Sequence, residues 1–176
     1  MKLRGRYLRH GKTDISDIKK RLLTLPAAAW VKNTYRQDTF LVHKETTSII
    51  GIFCKPCLPL SILRYEEYEE YNNLFSPLIQ AITDAVPGTV CRAMFAKVPP
   101  RAVVVEHTDE AEIFAVTHRV HIPIISNPKT IFSVNGYPVE MPEGEIIEIN
   151  NLLPHKVENW SRQGDRIHFI CDLYDP

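Results

Sequence analysis

Ile131-Phe-Ser-Val134, Asn135-Gly136, Tyr137-Pro-Val-Glu-Met141, Pro142-Glu-Gly144 and Glu145-Ile-Ile-Glu-Ile149 form the stretch whose reading decides the fold. Three short β-type runs alternate with turn residues. Asn-Gly between two such runs is a strong hairpin signal, because both residues tolerate the positive φ of the two-residue turns that match strand twist. The same pattern extends in both directions. Val90–Val98, Ala102–His107 and Ala115–Ile125 precede this stretch, and His155–Asn159 and Arg166–Leu173 follow it. Pro99-Pro100, Ser126-Asn-Pro128 and Gln163-Gly-Asp165 punctuate them.

Eight short strands at this spacing predict a mainly β fold, an antiparallel double-stranded β-helix (jelly roll, cupin-like). The segment before Thr89 is more mixed. Asp14 to Leu23 begins with cap-type residues and places Ile15, Ile18, Leu22 and Leu23 along one helical face, and Pro26 ends it. Thr39–His43 and Thr47–Phe53 read as short strands. Tyr68, Tyr71, Leu74, Leu78, Ile82 and Ala85 predict a helix between Tyr65 and Val86, with Pro77 as its expected break point. The expectation is one domain over residues 1–176. Residues 1–88 supply a mixed α/β support, with the helices packed on one outer face, and residues 89–176 form the metal-binding core.

At 176 residues the chain is long enough to bury roughly 70% of its unfolded surface. Lys and Arg number 21, as do Asp and Glu, so no global charge points to nucleic acid or an anionic membrane. The basic start (Lys2, Arg4, Arg6, Arg9, Lys12) reads as a solvated, partly mobile terminus. No apolar run follows it as in a signal peptide, and none approaches a membrane span, so a cytoplasmic protein with four reduced cysteines is expected.

The chemistry concentrates in three places. His107 and Asp109 follow the β-branched run Val103–Val105, His155 follows Pro154, and Arg166 opens the last strand. Side chains two apart on a strand or its end leave on one face, so His107 and Asp109 can share a target. Two histidines and a carboxylate are the set that holds a ferrous ion on one triangular face and leaves the opposite positions open. An arginine shortly after the distal histidine suits the anchoring of a dicarboxylate co-substrate. Arg119 and His121 alternate with Val120 and Ile122, which suits a polar pocket that holds carboxylates. His118 falls on the aliphatic side and reads as structural, whereas Arg166 and His168 share one face.

These motifs resemble the aspartyl/asparaginyl β-hydroxylase family of iron(II)- and 2-oxoglutarate-dependent oxygenases. The resemblance runs from about Val90 to Asp172. It is carried by His107-Thr-Asp109, Arg119-Val-His121-Ile-Pro, Glu143-Gly-Glu145, Asn151-Leu-Leu-Pro-His155-Lys-Val-Glu-Asn159, and Asp165-Arg166 onward. It implies His107 and His155 as iron ligands, with Asp109 completing the triad, and Arg166 on the distal carboxylate of 2-oxoglutarate. It implies Arg119, with His121, at the metal-proximal end of the co-substrate. The implied reaction uses dioxygen to hydroxylate an unactivated C–H bond of an amino acid, peptide or other small substrate, with release of succinate and carbon dioxide.

Two other readings keep part of this pattern. A cupin-like zinc or manganese enzyme would use the His–Asp–His set but has no need of Arg166. A noncatalytic dicarboxylate-binding module would use the arginines without turnover. Cys54-Lys-Pro-Cys57 lacks the helix start of a redox motif, and a zinc site would need Cys91 and Cys171 to converge on it. The four acidic residues Glu66, Glu67, Glu69 and Glu70 read as a solvated helix face. Neither prime substrate nor oligomeric state is legible.

Overall fold

Thr117–Ile125 and Arg166–Tyr174 are central strands in which every residue but the last is buried, which happens only where both faces of a sheet are covered. Their two faces differ. Val120, Ile122 and Ile124 join Ile167, Phe169, Cys171 and Leu173 in one hydrophobic cluster with the helices. Arg119, His121, Arg166, His168 and Asp172 alternate with them and so turn to the other side, where they are buried as well. One sheet therefore separates an apolar layer from a polar cavity.

The computed structural model describes residues 3–55 and 57–176. In chain order the elements are β1 (Tyr7–Lys12), α1 (Ser16–Thr24), α2 (Tyr35–Thr39), β2 (Thr47–Cys54), β3 (Ile62–Arg64), α3 (Glu66–Glu70), α4 (Asn72–Thr83), β4 (Thr89–Val98), β5 (Val103–His107), β6 (Thr117–Ile125), β7 (Thr130–Val134), β8 (Tyr137–Pro138), β9 (Glu145–Ile149), β10 (His155–Asn159) and β11 (Arg166–Tyr174). Single 3-10 turns lie at Ala27–Trp30, Leu41–His43 and Glu112–Val116. A seven-stranded sheet runs β1-β9-β6-β11-β4-β2-β3, and a four-stranded sheet runs β5-β10-β7-β8. Every strand pairing is antiparallel. This is the expected jelly roll, with α1 and α4 packed on the outer face of the larger sheet.

Several expectations need correction. Thr39–His43 is not a strand but the end of α2 and a 3-10 turn. Its apolar residues line the cavity mouth instead of pairing with a sheet. The helix expected over 65–86 breaks at Tyr71, whereas Pro77 sits inside α4, where Leu74, Phe75, Leu78 and Ile82 hold the apolar face against the sheet. Leu23 is 66% exposed and off the buried face of α1. Of the four acidic residues of α3, Glu67 is buried.

The basic start is partly structured too. Tyr7–Lys12 adds an edge strand to β9, and Arg9 pairs with Glu145 while Arg6 lies over the Tyr137 ring. Charged side chains suit an edge that must not recruit further strands. Lys2 lies outside the described residues. Strands β1, β2 and β3 thus tie the first 88 residues into the same sheet as the later strands. No helix is long and apolar enough to cross a membrane among the described residues.

The Asn135-Gly136 hairpin is present, with φ of 52° and 75°. Gly51 answers to a different constraint. A Cβ there would stand 2.8 Å from the Phe75 ring, which is itself locked against Phe95 and Phe169 at centroid distances of 5.1 and 5.9 Å. Gly51→Ala should therefore overpack this cluster and cost about 1–3 kcal/mol. Urea unfolding followed by circular dichroism checks this, and an unchanged midpoint would mean that Phe75 has room to move.

Candidate metal centre

His107 ends β5 and His155 begins β10, and the two residues face each other directly in the strand register. Their ring centroids lie 4.3 Å apart. Each ring is oriented by a carbonyl two residues earlier: His107 Nδ1 donates to Val105 O at 2.8 Å and His155 Nδ1 to Leu153 O at 3.0 Å. Both Nε2 atoms are therefore left as lone-pair donors, the usual outcome of such orienting bonds at metal sites.

Asp109 lies just past β5, and its own N–H donates to Asn151 O at 3.0 Å. The side-chain Oδ2 accepts from Asn151 Nδ2 at 2.8 Å and from Arg119. These two bonds fix the direction of the carboxylate. His107, Asp109 and His155 each offer a ligand atom within 4.8 Å of the others. Among the described residues they are the only such group of three or more.

The electrostatics suit a cation. Burial pushes His155 down to about 4, helped by the adjacent His107, so its ring is neutral and available near pH 7. Burial alone would raise the pKa of Asp109, but the Arg119 charge and the Asn151 hydrogen bond outweigh it and hold it below its ordinary value. Arg119 in turn is clamped by Asp172, with Nε and Nη2 each 2.8 Å from a carboxylate oxygen. Burial opposes the charge of Arg119, yet Asp109 and Asp172 together raise its pKa.

A cavity of about 520 Å³ opens beside the trio, lined on the inner side by Arg119, His121, Phe132 and Arg166. Arg166 is 3% exposed and donates to His168 Nδ1 at 2.8 Å. It has no carboxylate partner among the described residues, and burial drags its pKa down to about 9. A guanidinium stays charged in such a place and is suited to receive an anion. His121 Nε2 is buried without a hydrogen-bond partner among the described residues.

A family model described as aspartyl/asparaginyl beta-hydroxylase matches residues 60–176. The chain belongs to this family. It is accordingly a hydroxylase of the 2-oxoglutarate-dependent oxygenase class. No curated protein matches the chain by sequence.

Three solved structures share the family's fold with this hydroxylase at identities that speak to fold alone. An oxidoreductase of the 2OG-Fe(II) oxygenase family from Burkholderia pseudomallei is 13% identical, with a TM-score of 0.53 over 95% of this chain and 94% of its own. A prolyl-4-hydroxylase from Pseudomonas putida is 15% identical, with a TM-score of 0.51 over 98% and 94%. HygX from Streptomyces hygroscopicus, with nickel and 2-oxoglutarate bound, is 12% identical, with a TM-score of 0.55 over 97% and 82%. A further HygX structure also holds hygromycin B.

All six residues singled out in the sequence, His107, Asp109, Arg119, His121, His155 and Arg166, line this one cavity. His118 lies on the apolar side of β6, where Nδ1 meets Glu148 Oε1 at 2.7 Å. The cysteines do not converge. Cys54 and Cys91 share a small cluster, Cys171 packs under the helices, and Cys57 is exposed. Pro56, within the Cys54–Cys57 motif, lies outside the described residues. Sequence reasoning gave no role to Arg36, His43, Arg92 or Asp172 and quoted Asn151 only within a longer motif. Arg92 had a usable signal, a guanidinium in the otherwise apolar run Cys91–Ala96. Arg36 had none, because its helix was not foreseen.

Burial holds His43, His121 and His168 far below their ordinary 6.5, as it lowers His155 to about 4. The unfolded chain takes up these protons near 6.5, so between that pH and 4 it binds more protons than the native state. The metal-free protein should therefore keep its full stability above about pH 7.5 and lose it as the pH falls from 6.5 towards 4. Urea midpoints across that range check this. A flat profile would contradict the buried neutral histidines.

Proposed function

We propose that this hydroxylase binds ferrous iron through His107, Asp109 and His155, and 2-oxoglutarate through Arg166. The observation that carries the reading is Arg166, a buried guanidinium with no acid partner among the described residues, in the same cavity as two oriented imidazoles and a carboxylate. A zinc or manganese hydrolase would have no use for it. The residues fit both groups: the donor set suits a divalent cation with open positions, and Arg166 with the unpartnered His121 Nε2 suits a carboxylate-rich co-substrate.

When bound, iron with 2-oxoglutarate and dioxygen supplies the oxidising power to hydroxylate an unactivated C–H bond, with succinate and carbon dioxide released. The chain's own contribution is positioning. The Val105 and Leu153 carbonyls fix the tautomer and aim of the two imidazoles. Arg119 and Asn151 fix the carboxylate of Asp109, so Arg119 acts at the metal-proximal end through the residue it holds. Arg166 lines the cavity with its guanidinium 5.7 Å from the centre of the Phe132 ring. The cavity has room for a small molecule or a peptide side chain beside the co-substrate. HygX, with hygromycin B bound, supports the small-molecule side of this reading.

Arg166→Met should raise the apparent KM for 2-oxoglutarate by about 10–100-fold, because it removes the charged partner of a buried carboxylate. Steady-state succinate formation measures this, and an unchanged KM would move the anchor elsewhere. Asp109→Ala should lose at least about tenfold in metal affinity and nearly all turnover. Full activity in that variant would contradict the triad.

A further inference from the structure

Arg36 is the charge that the reaction machinery leaves unexplained. It belongs to α2, a short helix in the N-terminal half, yet it is 8% exposed and lines the same cavity as the metal trio. Nη1 donates to Thr46 Oγ1 at 2.9 Å and Nη2 to His43 Nδ1 at 3.0 Å. Both partners are neutral, and no carboxylate pairs with Arg36 among the described residues. The His43 ring stands edge-on to His107 with centroids 5.6 Å apart, so Arg36 is one imidazole removed from the metal side of the cavity.

The charge inventory points the same way. Four guanidinia (Arg36, Arg92, Arg119 and Arg166) line the cavity against two carboxylates, Asp109, which lines it too, and Asp172, buried behind Arg119. A bound divalent cation and a 2-oxoglutarate dianion cancel each other, so the loaded site keeps its positive excess. Glu110 is exposed at the rim and does not offset this inside. Arg92 shares Asp172 with Arg119 at 3.4 Å, and its Nε is buried without a hydrogen-bond partner among the described residues. Phe40, Leu41, Phe53 and Phe114 supply apolar wall around these cations, and the Arg92 guanidinium lies over the Phe53 and Phe114 rings at 4.3 and 5.2 Å.

We infer that Arg36, with Arg92 beside it, is the carboxylate-binding subsite for the prime substrate, which is a small carboxylic acid with a short apolar stem. The inference rests on the iron and 2-oxoglutarate reading above, because Arg166 must already be occupied for Arg36 to be the remaining receptor. The carboxylate sits on Arg36, the stem lies against Phe40 and Phe53, and a C–H bond a few carbons along reaches the centre. A polycationic substrate meets like charge here instead of a counter-charge.

The test is a binding measurement on nickel-loaded protein saturated with 2-oxoglutarate, so that no turnover intervenes. Butanoate, hexanoate, octanoate, 3-phenylpropanoate, N-acetylleucine and N-acetylphenylalanine are each titrated by calorimetry beside their primary amides. At least one acid is expected to bind about tenfold or more tightly than its amide. Arg36→Met should erase that preference while 2-oxoglutarate still binds, and Arg36→Lys should keep part of it. No preference in any pair, or a preference that survives in Arg36→Met, overturns the subsite. The wild-type comparison decides even where Arg36→Met does not fold. Failure of the nickel protein to bind 2-oxoglutarate at all would instead overturn the underlying reading together with the subsite.

Discussion

The Arg119 guanidinium, buried between Asp172 and Asp109, is the interaction on which the site depends. It joins two neighbouring strands of the large sheet to the loop that follows β5, and so fixes a carboxylate beside two imidazoles of the small sheet. Such a cluster is costly to desolvate, and breaking one member typically costs about 3–5 kcal/mol. A stable core of the same volume needs no such cluster. Its presence at the junction of the two sheets follows from what must be held there: a carboxylate that keeps its charge and a fixed direction in a largely buried place.

The apolar layer on the far side makes this arrangement affordable. Val120, Ile122, Phe169 and Leu173 pack against α1 and α4, and Phe75 closes on Gly51 with little spare room. Each central strand thus carries stabilising burial on one face and charged machinery on the other. The cavity carries unmet charge, with buried Arg36 and Arg166 lacking acids among the described residues and burial dragging both guanidinia down to about 9. Unmet electrostatic demand of this kind is met by ligands, and it concentrates where binding occurs.

Much of this was legible in the sequence because period-two alternation survives burial. Arg119-Val-His121 and Arg166-Ile-His168 declare which side chains share a face, and Asn135-Gly136 declares the hairpin. His107 and His155 were legible as chemistry, although not as direct partners in one strand pair, because register between strands separated by some 48 residues is set by tertiary packing. Arg36 lies in a short helix that carries no periodic signal, and His43 is hidden in Thr39–His43, whose Phe40, Leu41 and Val42 mimic a strand. Those residues instead wall a cavity, a use that leaves no periodic trace. The break at Tyr71 was missed for a related reason. Pro77 is the stronger breaker by propensity, but the sheet holds α4 together around it.

The central claim is that His107, Asp109 and His155 form an iron site that accepts 2-oxoglutarate beside Arg166. The most direct measurement is an anaerobic titration of ferrous ion into metal-free protein with 2-oxoglutarate, followed in the visible region, with dioxygen then admitted and succinate assayed. The account predicts a charge-transfer band that saturates at one iron per chain, then fades on oxygenation as succinate forms. Folded protein that gives neither band nor succinate would contradict it.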